Sequence, residues 1–186
     1  MIENVIHITE KISDDEILVR FIFDSDFKNK KVEVLKIIDG DVFLDTRDLG
    51  VSLQRNFYCS ELECKKLATN IPNKNYVGFV IFKKDDFLKV KENYIKERKE
   101  FDAEIRFTPL DENNQIINDK KLIFTNTPKN PSHSDLFYLN PALVNDETPK
   151  TVIRFFSKKL FRFSKIIIDD FPNSVEYKMT KFSDYY

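Results

Sequence analysis

The sequence predicts a single α+β domain spanning residues 1–186, with a mostly antiparallel or mixed sheet packed by two or three helices. First, short runs of β-branched and aromatic residues recur along the chain with turn residues between them, which is the pattern of strands. Second, apolar residues recur at helical spacing in a few segments, most clearly near the C-terminus. Third, 186 residues suit one domain, and no internal repeat, low-complexity tract or linker divides them.

The composition narrows the class of protein. Hydrophobic residues make up 41% of the chain and charged residues 33%, as in a soluble globular protein rather than a disordered one. Thirty basic and 31 acidic residues give a net charge of −1, so an electrostatic partner surface must be local. No apolar run approaches the roughly 18 residues of a membrane span. The chain shows no secretory signal, and two cysteines cannot form a disulfide framework, so we expect a cytoplasmic bacterial protein.

The first predicted elements are strands. Residues 16–23 are β-branched and aromatic, which favours a strand. Residues 31–38 and 42–45 flank an Asp-Gly pair that suits a tight hairpin turn, so we expect two antiparallel strands there. Residues 51–53 predict a further short extended segment.

A helix follows the first strands. Ser60 and Glu63 have the spacing of a capping box, in which each residue's side chain satisfies the other's backbone amide. Asn70 and Pro72 end this helix. The next residues, 76–82, form a nearly continuous apolar run, which is typical of a strand covered on both faces.

The middle of the chain alternates between helical and extended patterns. Residues 85–90 predict a helix start, and residues 91–99 are charged with alternating sign, as in a solvated helix or a connector. Residues 101–107 alternate apolar and polar, as in a half-exposed strand. Residues 122–124 begin another strand, and the two prolines in residues 125–134 predict a loop.

The strongest predicted helix covers residues 149–165. Thr148 suits its N-cap, and Pro149 suits its first helical position. One apolar stripe at helical spacing comprises Val152, Ile153, Phe156, Leu160, Phe163 and Ile167.

The same helix carries a row of cations. Lys150, Arg154, Lys158 and Arg162 lie four residues apart and therefore share the face opposite the apolar stripe. Such a row can bind phosphates, an anionic protein or a bilayer surface. Alternatively, it is the solvated outer face of a core-packing helix whose later cations complement the helix dipole. None of the three glycines lies in a Walker or Rossmann phosphate-binding spacing.

A second candidate site centres on His133 and Asp135. In an extended segment these side chains project from one face, while Ser134 projects from the other and is not a close partner of His133. A carboxylate beside an imidazole raises its basicity, as a catalytic base requires. Cys59 precedes the predicted helix and would complete a set of thiol nucleophile, base and orienting carboxylate. The alternative is that His133 forms hydrogen bonds at the start of a strand and that Cys59 is a buried, inert thiol.

Two weaker candidates remain. Arg47 and Arg55 lie in a polar stretch of residues 45–58, which either binds an anion or nucleotide or satisfies its own backbone. Arg20, within an apolar strand, either points into the same site or reaches the sheet edge. The scattered cysteines and histidines do not have zinc-site spacing, so we expect no metal ion and no cofactor.

Several short segments resemble a group of small bacterial proteins with no established activity. They are Arg20, Asp39-Gly40, Asp48-Leu49-Gly50-Val51-Ser52, Tyr76-Val77-Gly78 and Asn130-Pro131-Ser132-His133. The resemblance implies that the Asn-Pro-Ser-His segment belongs to the architecture, and it assigns no catalytic residue. A fainter similarity to ADP-ribosyltransferase folds rests on an early-strand arginine and a later strand containing serine and tyrosine, without a terminal glutamate signature.

Two functions follow as hypotheses. The first is a small cytosolic interaction or accessory protein that binds a protein or another anionic partner through the basic C-terminal helix, with nucleic acid a weaker candidate. The second is an enzyme with a site centred on His133 and Asp135, using either the Cys59 thiol or an arginine-lined pocket. The sequence leaves open whether the protein is an enzyme, and it does not indicate an oligomeric state.

Overall fold

A computed structural model describes residues 6–27, 38–44, 50–99, 101–118, 123–124, 130–139, 150–174 and 180–186. Its main feature is a six-stranded antiparallel sheet, with strands in the order β5-β7-β3-β2-β4-β8. These strands are β2 (Ile17–Phe23), β3 (Val51–Arg55), β4 (Tyr76–Lys83), β5 (Asp102–Phe107), β7 (His133–Leu139) and β8 (Lys165–Ile168). A separate two-stranded pair joins β1 (Ile6–His7) to β6 (Ile123–Phe124).

Three α-helices pack on the six-stranded sheet: α1 (Glu61–Thr69), α2 (Lys84–Glu97) and α3 (Lys150–Phe163). The capping box at Ser60 and Glu63 forms as predicted, with the Ser60 amide donating to the Glu63 carboxylate over 2.8 Å. Within the described residues, no helix is long and apolar enough to span a bilayer.

The two faces of the sheet bury separate cores. In β2, Leu18 and Ile22 point toward α2 and α3, whereas Val19 and Phe21 point toward α1 and the C-terminal segment. The central strands β2 and β4 are therefore apolar on both faces, because helices or irregular chain cover both. The predicted α+β class, with an antiparallel sheet packed by three helices, is confirmed.

Most predicted elements occur near their predicted positions. The strands predicted at 16–23, 51–53, 76–82 and 101–107 are present as β2, β3, β4 and β5. Residues 84–97 form one continuous helix, so the two segments predicted separately at 85–90 and 91–99 belong to α2. The predicted loop ends earlier than expected, because His133 and Ser134 already belong to β7. Thr148 and Pro149 lie outside the described residues.

The prediction of a hairpin around Asp39-Gly40 is wrong for residues 38–44, which the structure describes. Gly40–Phe43 forms a 3-10 helix, and the Asp39 side chain accepts from the Asp41 amide over 3.0 Å. This short helix packs against α3 so closely that a Cβ on Gly40 would lie 2.6 Å from the Lys158 Cα. Glycine is therefore required for close packing rather than for a hairpin turn. Residues 31–37 and 45 lie outside the described part of the chain.

The end of the final helix also differs from the prediction. The helix stops at Phe163, and Ile167, predicted on its apolar stripe, instead lies in β8 opposite Phe79 of β4. β8 approaches β4 so closely that a Cβ on Gly78 would lie 2.2 Å from the Ile167 carbonyl oxygen. The apolar run of residues 166–168 fits helical and extended periods equally, and pairing with β4 selects the extended form.

Candidate functional site

The outer face of α3 is the most open charged surface among the sequence-predicted sites. Lys150, Arg154, Lys158 and Arg162 are all exposed, as the spacing predicts. At a rise of about 1.5 Å per residue, this row extends for roughly 18 Å along the helix. Phe155 lies on the same side of the helix and is 59% exposed. The outer face of α3 therefore combines a row of cations with an exposed aromatic ring.

Among the described residues, one member of this row, Arg154, has a carboxylate partner. Arg154 Nε lies 3.4 Å from Asp41 Oδ1, with the arginine side chain 51% exposed. Within the described part of the chain, Lys150, Lys158 and Arg162 form no ion pair. Lys159, at the edge of the row, differs from them because its ammonium lies 2.7 Å from Glu97 and 5.1 Å from the centre of the Tyr94 ring.

The inner side of α3 determines how this face is oriented. Phe156 is fully buried and contacts the rings of Phe87, Tyr94 and Phe101, with its ring centre 4.7 Å from that of Phe101. Tyr94 also donates from its hydroxyl to the Val152 carbonyl over 2.9 Å. These contacts hold the apolar stripe against the core, so the cations face away from it.

A small cavity of about 240 Å³ lies at the C-terminal end of the same helix. Arg162, Phe163 and Lys159 line it from α3, and Val90 and Asn93 line it from α2. A lining of two apolar residues, one asparagine and two cations suits an apolar side chain that has an acidic neighbour.

His133 and Asp135 are brought together, as their alternation predicts, but in a closed site. They lie opposite Gln54 and Ser52 of β3, with His133 Nδ1 3.6 Å from Asp135 Oδ2. His133 is 6% exposed and Asp135 is 5% exposed. Neither residue lines the cavities bordered by Lys65, by Val90 or by Tyr58.

Thr108 links the histidine to the aspartate, and sequence reasoning missed it. The His133 ring donates from Nδ1 to the Thr108 carbonyl over 2.8 Å, and the Thr108 hydroxyl donates to Asp135 over 2.7 Å. Burial lowers the pKa of His133, against an opposing effect of the Asp135 charge. Thr108 directly follows the strand β5, which pairs with β7. Prediction of the pairing between β5 and β7 would have placed Thr108 beside His133.

Cys59 lies in a different environment from His133 and Asp135. Its side chain is 3% exposed within the core beside α1, and its sulfur lies 3.1 Å from that of Cys64. Burial raises the pKa of the Cys64 thiol well above its usual value, and the neighbouring Cys59 thiol adds to the effect. Among the contacts of the described residues, none joins Cys59 to His133 or Asp135. The catalytic triad therefore stays a prediction that these contacts do not support.

Arg55 is enclosed within the fold. It is 1% exposed, and its guanidinium binds both carboxylate oxygens of Glu16 over 2.8 and 2.9 Å. The same group donates to the carbonyls of Thr9 and Lys11. The rings of Tyr58 and Phe107 lie over it at 4.8 and 5.1 Å from their centres. These contacts are those of a structural arginine, since carboxylate, carbonyls and rings of the chain itself surround the guanidinium.

Two further arginines are candidate site residues in the sequence, Arg47 and Arg20. Arg47 lies outside the described residues. Arg20 donates to the carbonyls of Val42 and Ser52 over 3.2 and 3.1 Å, and thereby ties the 3-10 helix to β3. In the described part of the chain, no group of three or more His, Cys, Asp or Glu side chains is placed to hold a metal ion.

Comparison with known proteins found no matching family model, no matching curated protein and no matching solved structure. The functional interpretation of the chain therefore rests on its own side chains.

Proposed function

We propose that this protein is a cytosolic bacterial accessory protein that binds an acidic segment of a partner protein through the outer face of α3. The observation that carries the proposal is the row of exposed cations around an exposed Phe155, of which only Arg154 has a carboxylate partner in the described residues. A surface cation without a carboxylate neighbour is available to a partner's carboxylate at little desolvation cost.

An acidic protein fits this face better than nucleic acid. The chain has a net charge of −1, so it lacks the overall positive field that usually draws nucleic acid to a protein. The row is a single line of cations rather than a basic groove, and the exposed side chain within it is a phenylalanine. Aromatic and arginine side chains are enriched at the anchoring positions of protein interfaces. The cavity beside Arg162 adds a place for one apolar side chain of the partner segment.

Binding of an acidic peptide tests the proposal. A fluorescent peptide that mixes glutamates with one or two leucines is titrated with the full chain at increasing salt. We expect affinity to fall as salt rises, because exposed ion pairs are screened. The triple variant Arg154→Glu/Lys158→Glu/Arg162→Glu is expected to lose at least tenfold in affinity, and Phe155→Ala a smaller factor.

The matched control reverses three exposed lysines elsewhere on the surface: Lys11→Glu, Lys66→Glu and Lys181→Glu. This variant has the same net charge as the α3 triple variant, so it separates the local row from a general charge effect. Peptide affinity equal to wild type in the α3 variant would overturn the proposal. Tight, salt-dependent binding of a DNA or RNA duplex with none of the peptide would replace the protein partner with nucleic acid.

A further inference from the structure

The strand β8 is the outer strand at one end of the six-stranded sheet, and no other described strand pairs with its apolar outer edge. Ile166 and Ile168 are each 45% exposed, and the flanking Phe163 and Phe171 are 50% and 59% exposed. Four of the eight exposed large apolar side chains in the described residues therefore lie between positions 163 and 171. Such a concentration is typical of an interaction surface rather than of scattered surface side chains.

The backbone of this edge is also available for pairing. The Asp169 amide donates to the Val77 carbonyl of β4 over 3.0 Å, and Ile167 lies opposite Phe79. Because residues in an antiparallel ladder alternate between hydrogen-bonded and non-hydrogen-bonded pairs, the amides and carbonyls of Ile166 and Ile168 point away from β4. In the described part of the chain, no strand pairs with this outer side.

The opposite edge of the sheet is protected by charge. In β5, Asp102 forms an ion pair with Lys91 over 2.7 Å, and Glu104 forms one with Arg106. Charged side chains on an edge strand prevent another chain from pairing with it. β8 has one charged residue, Lys165 at its start, and the three isoleucines that follow provide no such protection.

The sequence around Ile167 is self-complementary when read in opposite directions. It runs Phe163-Ser164-Lys165-Ile166-Ile167-Ile168-Asp169-Asp170-Phe171. A two-fold axis at Ile167 relates Ile166 to Ile168, Lys165 to Asp169, and Phe163 to Phe171 of a second copy. Asp169 is 5% exposed and lies 2.7 Å from Lys65 in its own copy, so the exposed Asp170 is the carboxylate that remains for Lys165 of the second copy.

We propose that two copies of this chain pair through their β8 edges, antiparallel and centred on Ile167, so that one sheet continues across both copies. In this register the outward amides and carbonyls of Ile166 meet those of Ile168 in the second copy. Ile166 and Ile168 are two residues apart and therefore project from the same face of the sheet. The face that α2 and α3 cover in one copy is thus continuous with the same face of the second copy. Each interface residue meets its counterpart by symmetry, as an isologous dimer requires.

The first experiment measures oligomeric state by sedimentation equilibrium of the full chain over a wide range of concentration. We expect a concentration-dependent dimer for wild type and a monomer for Ile166→Lys/Ile168→Lys, with circular dichroism reporting whether the variant stays folded. The matched control, Phe57→Lys/Ile116→Lys, places the same charges at two exposed apolar residues elsewhere and is expected to remain dimeric. A wild-type chain that stays monomeric throughout, or a folded β8 variant that still dimerises, would overturn the proposal.

The second experiment tests the register and does not depend on charge variants. Ile166→Cys and Ile168→Cys chains are mixed and oxidised with glutathione disulfide, so that two protein thiols become one disulfide while the oxidant is reduced to two glutathione thiols. We expect a cross-linked dimer mainly in the mixture, because like positions are too far apart in this register for a disulfide. Equal cross-linking of either variant alone would contradict the pairing about Ile167. Phe163 borders both surfaces, but the substituted Ile166 and Ile168 belong neither to the cation row of α3 nor to the lining of its cavity. Acidic-peptide binding by the monomeric variant therefore distinguishes failure here from failure of the proposed function.

Discussion

The enclosed charged groups at the β3–β7 end of the sheet and the exposed cations of α3 differ in one respect, namely what surrounds each charge. Arg55 is surrounded by a carboxylate, two carbonyls and two aromatic rings of its own chain. Arg162 is exposed and has no ion-pair partner among the described residues. The sequence predicts that both arginines bind a partner or ligand, yet only Arg162 is exposed enough to contact another molecule.

The same contrast applies to His133 and the lysines of α3. His133 is held by Thr108 and lies beside Asp135 in a site that solvent hardly reaches. Lys150 and Lys158 extend into solvent from a helix whose other side anchors it. A charged residue enclosed by groups of its own chain bears on stability, whereas exposed cations, of which only Arg154 has a carboxylate partner among the described residues, are available for binding.

The largest expected effect is on the buried ion pair. Replacement Arg55→Ala leaves Glu16, which is 2% exposed, without its guanidinium. Removing one partner of a buried pair typically costs about 3–5 kcal/mol in the free energy of unfolding. Urea denaturation followed by circular dichroism measures the loss.

Arg162→Ala is the matched control, because it removes the same side chain from an exposed position. We expect a change within about 0.5 kcal/mol, as for most surface substitutions. Arg55→Lys is not expected to restore stability, since an ammonium cannot bind both carboxylate oxygens in a fork. Equal effects of Arg55→Ala and Arg162→Ala on stability would remove the distinction between the two regions.

The second effect concerns Thr108. Replacement Thr108→Val keeps the shape of the side chain but removes the hydroxyl that donates to the buried Asp135. Leaving a buried acceptor without its donor costs about 1–3 kcal/mol. Thermal and urea unfolding measure the change, and Thr151→Val on the exposed side of α3 serves as control. A stability loss as small as that of the control would show that Asp135 does not depend on this donor.

The smallest expected effect is a pH dependence of stability from His133. Its pKa is lowered from an ordinary value of 6.5, mainly because burial disfavours the charged imidazolium. Below pH 6.5 the unfolded chain therefore binds a proton more readily than the folded chain does. The contribution of His133 to the free energy of unfolding is therefore fully present above pH 6.5. It decreases as the pH falls from 6.5 toward the lower pKa of His133 in the folded state.

The measurement for His133 is a series of urea titrations between pH 5 and pH 8. Wild type is compared with His133→Gln, which lacks the titrating group, so the difference between the two curves isolates the histidine from the carboxylates. We expect the wild-type curve to fall more steeply below pH 6.5. Parallel curves for the two proteins would show that His133 titrates alike in the folded and unfolded states.

Local patterns in the sequence predicted much of the fold. The β-branched run of β2, the apolar run of β4 and the capping box of α1 each depend on neighbours in the chain, and each is present in the structure. The alternation in β7 likewise placed His133 and Asp135 on one face. Side-chain alternation and helix capping are local geometry, so they can be predicted without knowledge of distant contacts.

Other features depended on contacts between distant segments. Gly40 lies in a 3-10 helix because α3 packs against it, and Ile167 lies in β8 because β4 pairs with it. Arg55 meets Glu16 across 39 positions of the chain, and Thr108 meets Asp135 across 27. The sequence around these residues contains no signal of either partner.

Local sequence patterns predicted the α+β class, most of the strands and helices, and the spacing of the cations along the last helix. Periodicity within one element suffices for such conclusions, because it depends on the helix and strand repeats alone. Which charges are enclosed and which remain exposed depends on contacts between distant elements of the fold. That distinction arises from burial and partners supplied by other elements, and it separates Arg55 and His133 from the cations of α3.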